Sequence, residues 1–114
     1  MRRLWLALPD ALVNFAGADA PMKQNKFVAE AWLAALGKGP ADGTQSLYVW
    51  GKVWHDGQLV EGLFRTDDEG FSFTRVNDDQ HRWGYLLSLA ADPLEHGTVY
   101  VAAHGRGVLV GRPR

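Results

Sequence analysis

The stretch RTDDEGFSF, residues 65–73, sets three consecutive acids, Asp67, Asp68 and Glu69, between two apolar runs. Adjacent carboxylates admit two readings: a catalytic acid pair, or a tight turn that happens to be acidic. The spacing favours the turn. Thr66, Asp68, Gly70, Ser72 and Phe73 fit the pattern Ser/Thr-x-Asp-x-Gly-x-Ser/Thr-aromatic at every specified position, which describes a loop between strands. An aspartate there accepts hydrogen bonds from backbone N–H groups of its own turn, and the glycine supplies a positive φ. The aromatic restarts the extended chain and packs its ring underneath. A glycosidase needs two carboxyls facing each other across the scissile bond, about 5–9.5 Å apart. Sequence neighbours in a tight turn point in different directions and cannot flank a sugar. These acids are therefore expected to be scaffold, and no residue of the chain is assigned a catalytic role.

Outward from this loop, short apolar runs rich in Val, Leu and aromatics alternate with Gly, Pro and Asp, the signature of strands and turns. Strands are expected near 3–8, 11–15, 30–36, 46–53, 60–66, 71–76, 85–91, 97–103 and 107–111. The alanines of FVAEAWLAAL (27–36) favour a helix locally, but the place of this segment in a repeat makes it a strand. LWLAL (4–8), LYVWG (47–51) and VYVAA (99–103) share an apolar–aromatic–apolar centre, with Trp5, Tyr48 and Tyr100 spaced 43 and 52 residues apart. Each is followed by a turn and a second run: ALVNF (11–15), GLFRT (62–66) and GVLVG (107–111). WLAALGKGP (32–40) likewise matches LLSLAADPL (86–94). Short strands recurring at such periods point to propeller blades. A propeller needs at least about four of them, so the chain reads as part of one.

The composition narrows the function classes. A chain of 114 residues, 46% hydrophobic and 22% charged, is one globular unit. Its net charge is −1 and its 12 basic residues form no stripe, which gives a nucleic-acid partner little support. With no cysteine there is no disulfide and no thiolate metal site. The four histidines have no ligand spacing. His96 and His104 can approach across a hairpin, but a zinc site takes three or four ligands, so neither a metal nor a cofactor is expected. GKG (37–39) lacks the frame of a phosphate-binding loop, and HGRG (104–107) reads as a hairpin turn. The start, MRRLWLALPDALVNFAGADA, has the outline of a signal peptide, but Pro9 and Asp10 interrupt it and it fits the strand repeat. No segment approaches the roughly 18 apolar residues that span a membrane.

The octapeptide 66–73 resembles the Asp-box, or BNR repeat, of sialidase-like propellers. GLFRTDDEGFSFTRVNDDQHRWG and AADPLEHGTVYVAAHGRGVLVG are similar to the C-terminal end of xyloglucanases of glycoside hydrolase family seventy-four. That family closes with patterns of the kind G-L-F-R-S-D-D-G-G, I-N-D-D-x-H, G-D-P and G-R-V-Y-x-G-T-x-G-R-G-I-x-Y-G. AWLAALGKG and LYVWGKV fit its penultimate repeat, so the resemblance spans about residues 30–114. Three departures stand out: His104 where the family favours Asn or Asp, Ala91 where it favours Gly, and a 9–27 stretch without an Asp-box.

The resemblance implies an all-β fold: about two to two and a half four-stranded antiparallel blades of a seven-bladed β-propeller, left open as a fragment. Residues 1–27 would be a truncated or eroded blade, 28–84 the Asp-box blade and 85–114 terminal blade strands. It also implies a secreted enzyme that cleaves the β-1,4-glucan backbone of xyloglucan with inversion. The two catalytic aspartates are expected outside this chain, which alone is expected to hydrolyse nothing. Its partners would be xyloglucan or a related plant β-glucan and the remaining blades of a longer chain. The rival reading is a non-catalytic propeller of the sortilin or photosystem-assembly type that binds a protein or peptide.

Five tryptophans are many for this length, and three flank turns, where aromatic faces can stack on sugar rings. Trp50, on a strand, is expected in the core. Trp54, in VWHDGQ, fits core and sugar contact equally well. Trp83 is favoured as a binding residue, because Asp78, Asp79, Gln80, His81 and Arg82 crowd polar groups around one ring. The candidate substrate-binding set is therefore Trp54, His81 and Trp83.

Overall fold

The computed structural model describes residues 4–8, 11–15, 23–68, 70, 72–76, 86–103 and 107–111. They form three antiparallel sheets. β1 (Leu4–Leu8), β2 (Ala11–Phe15) and β3 (Lys23–Gln24) make the first. β4 (Val28–Lys38), β5 (Gln45–His55), β6 (Gln58–Thr66) and β7 (Thr74–Arg75) make the four-stranded middle sheet. β8 (Leu86–Ala91), β9 (Val99–Ala103) and β10 (Gly107–Gly111) make the third, ordered β8-β9-β10. LYVWG and VYVAA thus lie on β5 and β9, each flanked by a preceding and a following strand, and LWLAL is β1, paired with its following strand. The sequence repeat is a repeat of sheets.

Alternation along β5 explains the stacking. Successive side chains of a strand point to opposite faces. Leu47, Val49 and Val53 join Phe64, Val28, Ala31 and Leu12 in a core between the first and middle sheets. Tyr48 and Trp50 join Leu63, Val99 and Val101 in a second core between the middle and third sheets. Trp50 is 7% exposed, a core residue as its place on a strand implies. A strand with both faces covered reads as a continuous apolar run, and LYVW is that run. The helix that local propensity favours over 27–36 does not form, because pairing with β5 and burial of Val28 and Ala31 in the first core override alanine content.

β4 and β8 run side by side at one end, where Lys38 N–H donates to the Asp92 carbonyl at 3.0 Å. Gly37 permits that approach: a Cβ there would sit 2.6 Å from the Ala91 Cβ and 3.0 Å from the Asp92 oxygen. The first strands of two neighbouring sheets meet where the sequence repeat puts matching segments.

Several boundaries differ from the sequence expectation. The strand expected over 71–76 pairs only at Thr74–Arg75, because the Ser72 N–H is already taken by the Asp68 carboxylate. The strand expected from 97 begins at Val99, since Gly97 has φ 88° in the preceding turn. β3, a polar two-residue strand, carried no periodic signal. Elsewhere β4 and β5 run longer than expected, and β4 contains two register shifts, between Val28 and Glu30 and between Ala31 and Leu33.

Candidate functional site

The acidic loop leaves β6 at Thr66, whose backbone pairs with Leu47. Thr66 is buried, and its hydroxyl donates to Asp68 Oδ1 at 2.8 Å while accepting the Gly70 N–H at 2.9 Å. Asp68 in turn accepts the Ser72 N–H at 2.9 Å and the Ser72 hydroxyl. Burial pushes the Asp68 carboxyl up, but the Ser72 and Thr66 bonds outweigh it and hold the group below the usual carboxylate range. Gly70 takes φ 91°, and Phe73 packs against the first core, its ring 6.4 Å from Phe27 in an edge arrangement. Thr66, Asp68 and Ser72 thus bond within the loop itself.

The loop also docks on the first sheet. Asn25, nearly fully buried, donates from Nδ2 to the Gly70 carbonyl at 3.0 Å and accepts the Phe27 N–H at 2.9 Å. A Cβ on Gly70 would lie 2.5 Å from Asn25 Nδ2 and 3.2 Å from the Trp5 ring. Sequence reading missed Asn25, since nothing local marks a residue that bonds 45 positions away.

Asp67 points elsewhere. Its Oδ1 accepts the Ser46 hydroxyl and lies 3.1 Å from His96 Nε2, and its Oδ2 lies 3.3 Å from Arg65 Nε. Burial pushes its carboxyl up, yet the Ser46 and His96 bonds and the Arg65 charge prevail and keep it ionised below the ordinary range. Tyr48, beneath the cluster, has its phenol pushed up by burial, with Arg65 and the Gly97 backbone only partly offsetting that. On the third sheet, Asp92 accepts the Leu94 and Glu95 N–H groups and the Tyr100 hydroxyl at 2.7–3.0 Å, which fixes the β8–β9 turn carrying His96. Asp67 and Asp68 are engaged in different directions by different partners.

Trp54 lies at the other end of the sheet, beside the β5–β6 turn, and is 50% exposed. It is separated from the acidic loop by the length of β6, roughly 25 Å at the ordinary rise of a strand. Trp54 and the carboxylates therefore cannot belong to one site. His81 and Trp83, with Asp78, Asp79, Gln80 and Arg82, lie outside the described residues. The structure adds an aromatic that sequence reading passed over: Trp32, 36% exposed, meets Trp50 edge to face at 5.9 Å.

No protein-family model matches the chain. It is 36% identical over 85 residues to a xyloglucanase of Acetivibrio thermocellus, covering 73% of this chain and 10% of the relative. Against a xyloglucanase of Paenibacillus sp. the figures are 37% over 106 residues, 92% of this chain and 10% of the relative. The crystal structure of the GH74 xyloglucanase from Xanthomonas campestris superposes with a TM-score of 0.82 at 36% identity, over 98% of this chain and 15% of that one. The GH74 enzyme of Niastella koreensis gives the same TM-score at 30% identity. The chain spans about a tenth of the length of these curated relatives. In sequence and in fold, over most of its length, the chain belongs with the xyloglucanases of glycoside hydrolase family seventy-four, to a small part of whose propeller it corresponds.

Proposed function

We propose that this chain is a glucan-contacting, non-catalytic segment of a secreted xyloglucan-degrading glycosidase. The observation that carries the reading is its likeness to xyloglucanases in both sequence and backbone over nearly its whole length. In this reading residues 1–27 are an eroded blade, 28–84 an Asp-box blade and 85–114 the strands of a terminal blade. Thr66, Asp68, Gly70, Ser72 and Phe73 are the Asp-box, with a structural task. Their carboxylate and hydroxyls are spent on one another and on the loop's own backbone, and none is free to move a proton to a glycosidic oxygen. The acid and base of the inverting hydrolysis come from other parts of the enzyme.

Substrate contact falls to the opposite end of the sheet, where Trp54 presents an open ring. A pyranose stacks its C–H face on an indole and leaves its hydroxyls to polar neighbours. His81 and Trp83, on the segment that enters β8, complete the proposed contact set.

Affinity electrophoresis through immobilised xyloglucan, with a reducing-sugar assay on the same protein, tests this directly. Retardation without sugar release is expected. Migration unaffected by xyloglucan would refute the glucan contact, and turnover would refute the non-catalytic assignment.

A further inference from the structure

Seven side chains on one face of the middle sheet form a strip that runs from the second core to exposed residues. Trp50, Lys52 and Trp54 alternate along β5 and so share a face. Glu61 and Leu59 stand directly opposite Lys52 and Trp54 on β6 and share it too. From β4, Trp32 reaches the same face, since it touches Trp50, and Glu30 reaches it through Lys52. The third sheet covers this face over Tyr48, Trp50 and Leu63. Beyond them it opens, and Trp54, Leu59 and Trp32 are exposed.

Trp32 is held in a particular way. A register shift between Ala31 and Leu33 puts it on a bulge, and bulges re-aim side chains at sheet edges and beside functional sites. Its indole N–H donates to Glu30 Oε1 at 3.3 Å, while Glu30 Oε2 takes Lys52 Nζ at 3.3 Å. One carboxylate thus fixes the edge of the ring and the head of the lysine together. An exposed tryptophan that served only to fill space would have no use for this restraint.

We infer that Trp32 and Trp54 are two ends of one glucan-binding strip, with the Glu30–Lys52 pair between them as hydroxyl partners and Glu30 as the residue that positions Trp32. The inference rests on the proposed function and deepens it. The occupant is a run of glucosyl units of a β-1,4-linked backbone. Its equatorial hydroxyls project from the rim of each ring, where a carboxylate and an ammonium meet them, and its axial C–H groups form the apolar faces that indoles accept. Trp32 lies beside Trp50, about three to four residues along β5 from Trp54, or roughly 10–13 Å of strand. A single sugar cannot touch both rings; several linked sugars can.

The test is titration calorimetry of the full chain with cellobiose and with cellohexaose, with far-UV circular dichroism confirming that each variant is folded. Wild-type affinity should be at least tenfold higher for cellohexaose. Trp32→Ala should remove most of that gain, Trp32→Phe should retain most of it, and Glu30→Gln should weaken cellohexaose binding severalfold. A folded Trp32→Ala protein that binds cellohexaose as tightly as wild type overturns the strip while leaving the proposed function intact. A wild-type chain that binds neither cellohexaose nor a xyloglucan oligosaccharide overturns both.

Discussion

Nε2 of His96 lies 3.1 Å from Oδ1 of Asp67, so the turn between β8 and β9 is tied to the loop that leaves β6. The third sheet is thereby attached to the middle one by a polar contact at one end, as well as by the apolar core of Tyr48, Leu63, Val99 and Val101. Ser46 and Arg65 hold the same carboxylate from within the middle sheet.

The acid side of the stability profile follows from this contact. Asp67 and Asp68 both have carboxyls held below their ordinary range in the folded chain. Their contribution is present above the unfolded carboxylate value of about 3.9 and is lost as pH falls through the depressed folded values. Urea midpoints should therefore drop below about pH 4, and Asp67→Asn should flatten the drop. An identical pH profile for the variant would show that the Asp67 contacts are not formed in solution.

Gly37→Ala tests the approach of β4 to β8. The added methyl meets the Ala91 side chain and the Asp92 carbonyl, so the sheets must part. Exchange of the Lys38 amide, which donates to Asp92, should accelerate at least tenfold, while β5–β6 amides change little. Unchanged Lys38 protection would mean that the two strands do not meet there.

Gly70→Ala combines a positive φ with a close contact. At φ 91° an L residue is strained, and the new Cβ crowds Asn25 and Trp5. A loss of more than about 1 kcal/mol is expected, read as a lower urea midpoint. A midpoint within error of wild type would contradict the loop geometry.

The sheets were legible because β-strand alternation is written locally. LYVW on β5 carries both buried faces in four residues, and its counterparts at Trp5 and Tyr100 recur in matching company. The acidic loop was legible for the same reason, since Thr66, Asp68, Gly70 and Ser72 bond almost wholly among themselves. What escaped is long-range or irregular. Two partners of Asp67, Ser46 and His96, lie 21 and 29 positions away, and Asn25 reaches across 45. Trp32 escaped because a bulge shifts its phase, and no alternation rule foresees an inserted residue.

The central claim is that the acids are scaffold and the exposed aromatic end is the glucan contact. Titration calorimetry with a xyloglucan oligosaccharide, run beside thermal melts on Trp54→Ala and Asp68→Ala, tests it most directly. Trp54→Ala should weaken binding about threefold to tenfold, the size of a lost aromatic contact, with its melting temperature preserved. Asp68→Ala should cost about 1 kcal/mol of stability through its unmade hydrogen bonds, with affinity preserved once folded. The reverse pattern, affinity lost with Asp68 and stability lost with Trp54, would contradict the account.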